Sequence, residues 1–266
     1  SGVVASSHVA LGLSGFGLKG LIAGSLAGRL VSLVRVSVRS GMFNKLSPQY
    51  VYDAGKAMAE YKRFPRYQLP ATFLNMLFGP ARFLIFGLIF LPNTVGHLYL
   101  SFKVLLLPAT LICSSVAESL YVRQVEWVHS GLSAYSIRAR TMKVFLMGLF
   151  VYLPACSLVF FFGPDIFSWA FGGEWRLAGV YAAILAPGLL AQFSVSTLSK
   201  TFLVYSKNQM LLIWEASRVL ATYIPLLLLA RWGYSEKDLV IFLSAITMLS
   251  YIALFIMLHR ILKNGK

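Results

Sequence analysis

Acidic residues are scarce in this sequence: nine Asp and Glu stand against 24 Lys and Arg in 266 residues. Charge of either sign makes up 12% of the chain, about half of what a soluble domain carries. With 58% hydrophobic residues and a mean hydropathy of +0.73, too little charge remains to cover a water-facing surface. These scarcities exclude a soluble globular enzyme and a disordered chain. Only two cysteines occur, Cys113 and Cys156. Both lie inside apolar runs without metal-ligand or C-x-x-C spacing, which excludes a disulfide scaffold; they read as reduced packing residues. His8, His97, His129 and His259 are scattered and form no ligand spacing. Neither a metal nor a cofactor is expected. No G-x-S-x-G, H-E-x-x-H, P-loop or dinucleotide fingerprint is present, and the sequence does not read as an enzyme.

What is present is a series of apolar runs, each about 20 residues long, the length of a membrane-spanning helix. The strands of an outer-membrane barrel would alternate apolar and polar residues over about 10 positions; these runs do not alternate. The expected fold is therefore all-α, a polytopic transmembrane helix bundle with seven full spans plus a partial one. Residues 1–40 hold the partial span and a first full span over 16–38. In that span Gly20, Gly24 and Gly28 are spaced to let another helix approach closely, or are simply tolerated there. Residues 41–67 form a basic linker, with an amphipathic helix expected over 50–61 behind Pro48. Six further spans are expected over 68–90, 94–118, 142–162, 177–205, 209–230 and 238–259. A basic connection from Arg123 to Arg140 and an outer loop around residues 162–175 separate the middle ones. The chain opens on Ser1, in apolar sequence already under way and without a signal peptide, and reads as N-terminally truncated.

A net charge of +15 would suggest nucleic acid in a soluble protein. In a membrane protein it points to positive-inside loops, and no nucleic-acid partner is expected. One side of the bundle collects the linker cations, Arg123, Arg138, Arg140, Lys143, Lys200, Lys207, Arg260 and Lys263. The other holds only Lys19, Arg176, Arg231 and Lys237. This asymmetry places the linker and the C-terminus in the cytoplasm.

Four cations fall inside spans: Arg29, Arg82, Lys103 and Arg218. A charge at mid-bilayer costs at least ~2.5 kcal/mol and normally faces a bundle interior or a watery cavity. Arg82 and Lys103 lie on consecutive antiparallel spans at similar depth, without an acidic residue one turn away. They are expected to face one cavity and bind an anionic head group, with phosphate the natural choice. Arg29 either joins them or snorkels to the cytoplasmic surface. Arg218 has Glu215 three residues before it, which predicts a structural ion pair near the interface. Five of the six later spans contain a proline (Pro80, Pro108, Pro154, Pro187, Pro225), which suggests a bundle that bends.

Three segments together resemble one family. Tyr61-Lys-Arg-Phe-Pro-Arg-Tyr-Gln-Leu-Pro70 resembles the basic Phe-Pro entry to the second lobe of bacterial polysaccharide repeat-unit flippases, within the multidrug/oligosaccharidyl-lipid/polysaccharide exporter superfamily. Gly96-His-Leu-Tyr-Leu-Ser-Phe-Lys-Val-Leu-Leu-Leu-Pro108 is similar to the family's Gly-x-Tyr…Arg/Lys…Leu-Pro helix. Phe162-Gly-Pro-Asp-Ile-Phe…Phe171-Gly-Gly-Glu-Trp175 resembles its outer loop. The resemblance implies two six-helix lobes around a central cavity, residues 68–266 being the second lobe and 1–40 the end of the first. It places Lys103 on the family's basic position. The implied function is flipping of a lipid-diphosphate-linked oligosaccharide across the bacterial cytoplasmic membrane. The implied partners are that substrate, membrane lipids and a polysaccharide polymerase or export machinery. A drug or ion antiporter of the same superfamily remains the closest alternative and would favour buried carboxylates over buried cations. A membrane-embedded glycosyltransferase or polymerase would need a larger outer loop.

Overall fold

The computed structural model describes residues 64–264, together with residues 28, 30–32, 34, 35, 37 and 38. Arg29, Gly20, Gly24 and the amphipathic segment expected over 50–61 lie outside the described residues. The chain divides into two units, Ser1–Lys62 and Arg63–Lys266. The described residues of the first are helical; Ser32 Oγ donates to the Gly28 carbonyl at 2.8 Å.

The second unit is all helix, and no strand occurs among the described residues. A π-helical turn, Phe64–Gln68, leads into α1 (Leu69–Ile89). Then follow α2 (Pro92–His129), α3 (Ala134–Phe171), a 3-10 turn (Gly173–Trp175) and α4 (Arg176–Ser196). A short helical turn, Thr201–Val204, connects α4 to α5 (Asn208–Arg231) and α6 (Glu236–Asn264). Among the described residues six helical segments are long and apolar enough to cross a membrane. Large apolar side chains such as Leu88, Phe150 and Trp169 point outward. So much exposed apolar surface needs lipid around it, and the chain has the architecture of a polytopic membrane protein.

Local chemistry sets the helix ends. Pro70 and Pro92 occupy first-turn positions, where the missing N–H costs nothing. Ser133 caps α3 by accepting from the Ser136 N–H at 3.3 Å. Ser235 and Asp238 cap the start of α6 reciprocally, each side chain accepting from the other's N–H, at 3.3 and 3.0 Å. Gly172 ends α3 at φ 104°, ψ 160°, a conformation essentially reserved for glycine.

Two expectations fail between the spans. The basic segment from Arg123 to Arg140 is not a loop: α2 runs on to His129, α3 starts at Ala134, and a turn of a few residues joins them. The expected outer loop around Pro164 is the last part of α3, followed directly by Gly172 and the 3-10 turn. At 1.5 Å per residue each 38-residue helix is about 57 Å long, against a hydrocarbon core of about 30 Å. Low hydropathy marks where a helix leaves the core, not where it stops, and so the polar ends read as loops. All five expected prolines stay inside helices, and Pro164 joins them.

The most buried span is the one containing α4, which packs against α2, α3 and α6. Close approach explains this. A Cβ on Gly179 would sit 2.3 Å from the Gly163 carbonyl oxygen, and one on Gly188 would sit 2.5 Å from the Ser244 oxygen. Only glycine lets these backbones touch.

Candidate functional site: the charged layer at mid-bundle

Among the described residues the core has two large apolar clusters, besides a small one around Phe167, Ala178 and Ala182. One, around Phe86, Phe102, Leu185, Leu226 and Leu243, fills the end of the bundle nearer the α1–α2 turn. The other, around Ala71, Leu120, Phe202, Trp214 and Leu258, fills the opposite end. Between them four of the six helices contribute buried polar groups: Arg82 from α1, Ser194 from α4, Glu215, Arg218 and Thr222 from α5, and Ser244 from α6.

The centre of this layer is an ion pair with a second cation beside it. Arg218 Nη2 donates to Glu215 Oε2 at 2.5 Å, and its Nη1 donates to the Tyr251 hydroxyl at 3.1 Å. Asn75 Nδ2 donates to the other carboxylate oxygen of Glu215 at 2.7 Å. Both charged side chains are almost fully buried, at 3% and 4% exposure. The pair was expected near the interface. Arg218 in fact stands ten residues into the 24-residue α5, about 15 Å deep and close to the middle of the span.

Arg82 is buried as well and points into the bundle. Its Nε donates to the Gly79 carbonyl of its own helix at 3.0 Å. Its guanidinium lies 4.1 Å from the Phe102 ring centre and 5.3 Å from that of Phe78. Phe78 also meets Arg218, at 4.0 Å, so one aromatic ring contacts both cations. Cation–π contact is strongest where water is excluded. Tyr223 packs against the same ring at an interplanar angle of 51° and donates its hydroxyl to the Phe78 carbonyl. Among the described residues no carboxylate pairs with Arg82. The layer thus holds two guanidiniums against one carboxylate.

No family model, no curated protein and no solved structure matches this chain.

Lys103 does not join the layer. Its side chain is exposed on α2, with its Nζ 5.6 Å from the Tyr99 ring centre. The expected Arg82–Lys103 cavity is replaced by an Arg82–Arg218 layer. Equal depth on consecutive helices fixes height but not the face of each helix. At positions 82 and 103 the two faces diverge: Phe102, the neighbour of Lys103, is the residue that turns inward to Arg82. The same uncertainty hid Tyr223, Tyr251 and Asn75. Their pairings connect α1, α5 and α6 across long sequence separations, and no spacing rule spans them.

An open cavity of about 290 Å³ adjoins the layer. It lies among α1, α4, α5 and α6, where Asn75, Glu215 and Tyr251 border it together with Gln68, Ser199 and Lys200. Arg218 is therefore screened from the cavity by its own partner, and Arg82 lies behind it. Among the described residues no group of His, Cys, Asp and Glu is arranged to hold a metal.

Proposed function

We propose that this chain is part of a transporter that flips a lipid-diphosphate-linked oligosaccharide repeat unit across the bacterial cytoplasmic membrane, with residues 68–266 as the second of two lobes. The observation that carries this reading is the surplus cation of the mid-bundle layer. Arg82 is held in apolar surroundings by one backbone carbonyl and aromatic rings, without a carboxylate, and an anion would complete its pairing. A diphosphate head with an apolar tail supplies the anion and suits the apolar walls. Lys103 supports the same reading from the outer face. A lysine exposed on a spanning helix is tolerated where that face lines a water-filled path rather than acyl chains. Prolines within five of the spans give the bundle places to bend between inward- and outward-open states. The basic end, with the C-terminus, faces the cytoplasm in this reading.

The test is polysaccharide export by cells that depend on this protein. Arg82→Met and Lys103→Met should each reduce export while leaving protein levels near normal, and Arg82→Lys should be milder because the charge survives. Normal export by Arg82→Met would refute the role of the layer.

One observation favours the second reading, a drug or ion antiporter. Glu215 is a buried carboxylate that borders a cavity, the kind of group that exchanges a proton or metal ion for cargo. In that case Glu215→Gln should abolish ion-driven efflux of a cationic compound, and Arg82→Met should leave polysaccharide export intact.

A further inference from the structure

The paired ends of α2 and α3 form a second feature, remote from the charged layer. Here the two helices run antiparallel beyond the apolar stretch and are locked together. Gln124 Nε2 donates to Thr141 Oγ1 at 2.9 Å, and Thr201 Oγ1 donates to Gln124 Oε1 at 3.0 Å. All three residues are buried, so the hairpin is held rigidly against the bundle.

On its outer side lies an open groove of about 290 Å³. Ser115, Ser119 and Arg123 recur every four residues along one face of α2 and line it, with Trp127 one turn further. Val116 and Leu120 of α2 and Val144 of α3 form its apolar wall. Arg140 stacks on Trp127, its guanidinium 5.2 Å from the ring centre, and Lys143 lies exposed one turn along α3. Glu126 is the single acidic residue of the segment, and neither Arg123 nor Arg140 forms an ion pair among the described residues. The groove therefore mixes apolar and hydroxylic side chains along its inner part and carries its cations at the outer end.

That arrangement has the chemistry of a phospholipid: acyl chain against Val116, Leu120 and Val144, phosphate at Arg123 at the outer end. The height agrees. Glu118 and Lys200, an exposed ion pair at the same level, mark where α2 leaves the apolar region. Trp127 and Tyr121 sit where interfacial aromatics belong. Basic pockets between spanning helices on a positively charged side bind anionic head groups.

We infer that the α2–α3 groove is a seat for an anionic phospholipid, with Arg123 and Arg140 holding the phosphate and Trp127 packing beside them at the membrane surface. This is a resident lipid, separate from the transported substrate, and it does not depend on the transport reading. The hairpin that forms the seat is tied through Gln124 to Thr201 in the α4–α5 connection.

The full chain, purified in a non-ionic detergent, is titrated with phosphatidylglycerol, phosphatidylcholine, inorganic phosphate and a polyprenyl diphosphate. Bound lipid is counted by native mass spectrometry, and thermal stability is followed in parallel. Phosphatidylglycerol should bind in preference to phosphatidylcholine. Arg123→Gln should weaken it about fivefold, and Arg123→Gln/Arg140→Gln about twenty-five-fold. Arg231→Gln, at the opposite end of the bundle, should not change it. Val144→Trp, which fills the apolar wall without touching a charge, should also displace the lipid. Equal retention of both phospholipids would overturn the inference, as would unchanged binding in the double variant. Binding of inorganic phosphate as tight as that of phosphatidylglycerol would overturn it by making the site a free-anion site. Preference for the polyprenyl diphosphate would do so by making it a substrate seat.

Discussion

Asn75 donates a 2.7 Å hydrogen bond to Glu215, 140 residues later in the chain. Through it the first helix of the second unit holds the carboxylate that neutralises Arg218 on the fifth. The mid-bundle pair is therefore a tertiary device: remove Glu215 or Arg218 and the other charge is left buried without its partner.

Glu215→Ala should destabilise the protein by about 3–5 kcal/mol, since it strands Arg218 in the core. Removing both charges with Glu215→Leu/Arg218→Met should restore much of that loss, because apolar side chains of similar volume pack where the pair was. Thermal unfolding in detergent of the two single variants and the double variant measures the coupling. A double variant no more stable than Glu215→Ala would show that the pair is not the structural tie described above.

The α3–α4 crossing gives a second prediction. Gly179→Ala would push a methyl group to 2.3 Å from a backbone oxygen that cannot swing aside. It should cost about 1–3 kcal/mol by overpacking. Gly87→Ala, with open space around it, should be neutral or slightly stabilising through helix propensity. A melting-temperature comparison of the two variants decides the matter, and equal melting temperatures would contradict the close crossing.

Gln124 offers a third. Thr201 donates to its carbonyl oxygen and its amide donates to Thr141. Gln124→Leu leaves two buried hydroxyls short of a partner and should cost about 1–3 kcal/mol. Hydrogen exchange should rise first in the 120–145 segment, where α2 and α3 are tied, and less in α6. Uniform loss of protection along the chain would count against a local tie.

Orientation is tested by labelling. Single cysteines at Ser130 and Glu174, both exposed at opposite ends of the bundle, are introduced after the native thiols are replaced. Cys113→Ser is the suitable replacement, because the Cys113 sulfur lies 3.0 Å from the Tyr152 hydroxyl and a serine keeps that contact; Cys156→Ala suffices at the other. A membrane-impermeant maleimide added to intact cells should label position 174 and not position 130. The reverse pattern would invert the topology.

Composition and run length alone determined that this chain is a bundle of membrane helices. Burying apolar residues in runs of about 20 has one solution in lipid, because every backbone polar group must be satisfied within its own helix. The same local logic located the six spans after the linker, the prolines within them and the Glu215–Arg218 pair, whose members are one turn apart. It could not decide where helices stop in water, and so the Arg123–Arg140 segment and the end of α3 read as loops. Nor could it decide which face of a helix turns inward. Phe102 and Lys103 are adjacent in sequence, yet Phe102 packs on Arg82 and Lys103 points out. Rotation about the helix axis is set by packing against neighbours, above all by the glycine contacts of α4. Only the tertiary structure brought Asn75, Arg82, Arg218, Tyr223 and Tyr251 into one layer, since helix contacts of that kind depend on the crossing of α1, α5 and α6 rather than on any spacing along the chain.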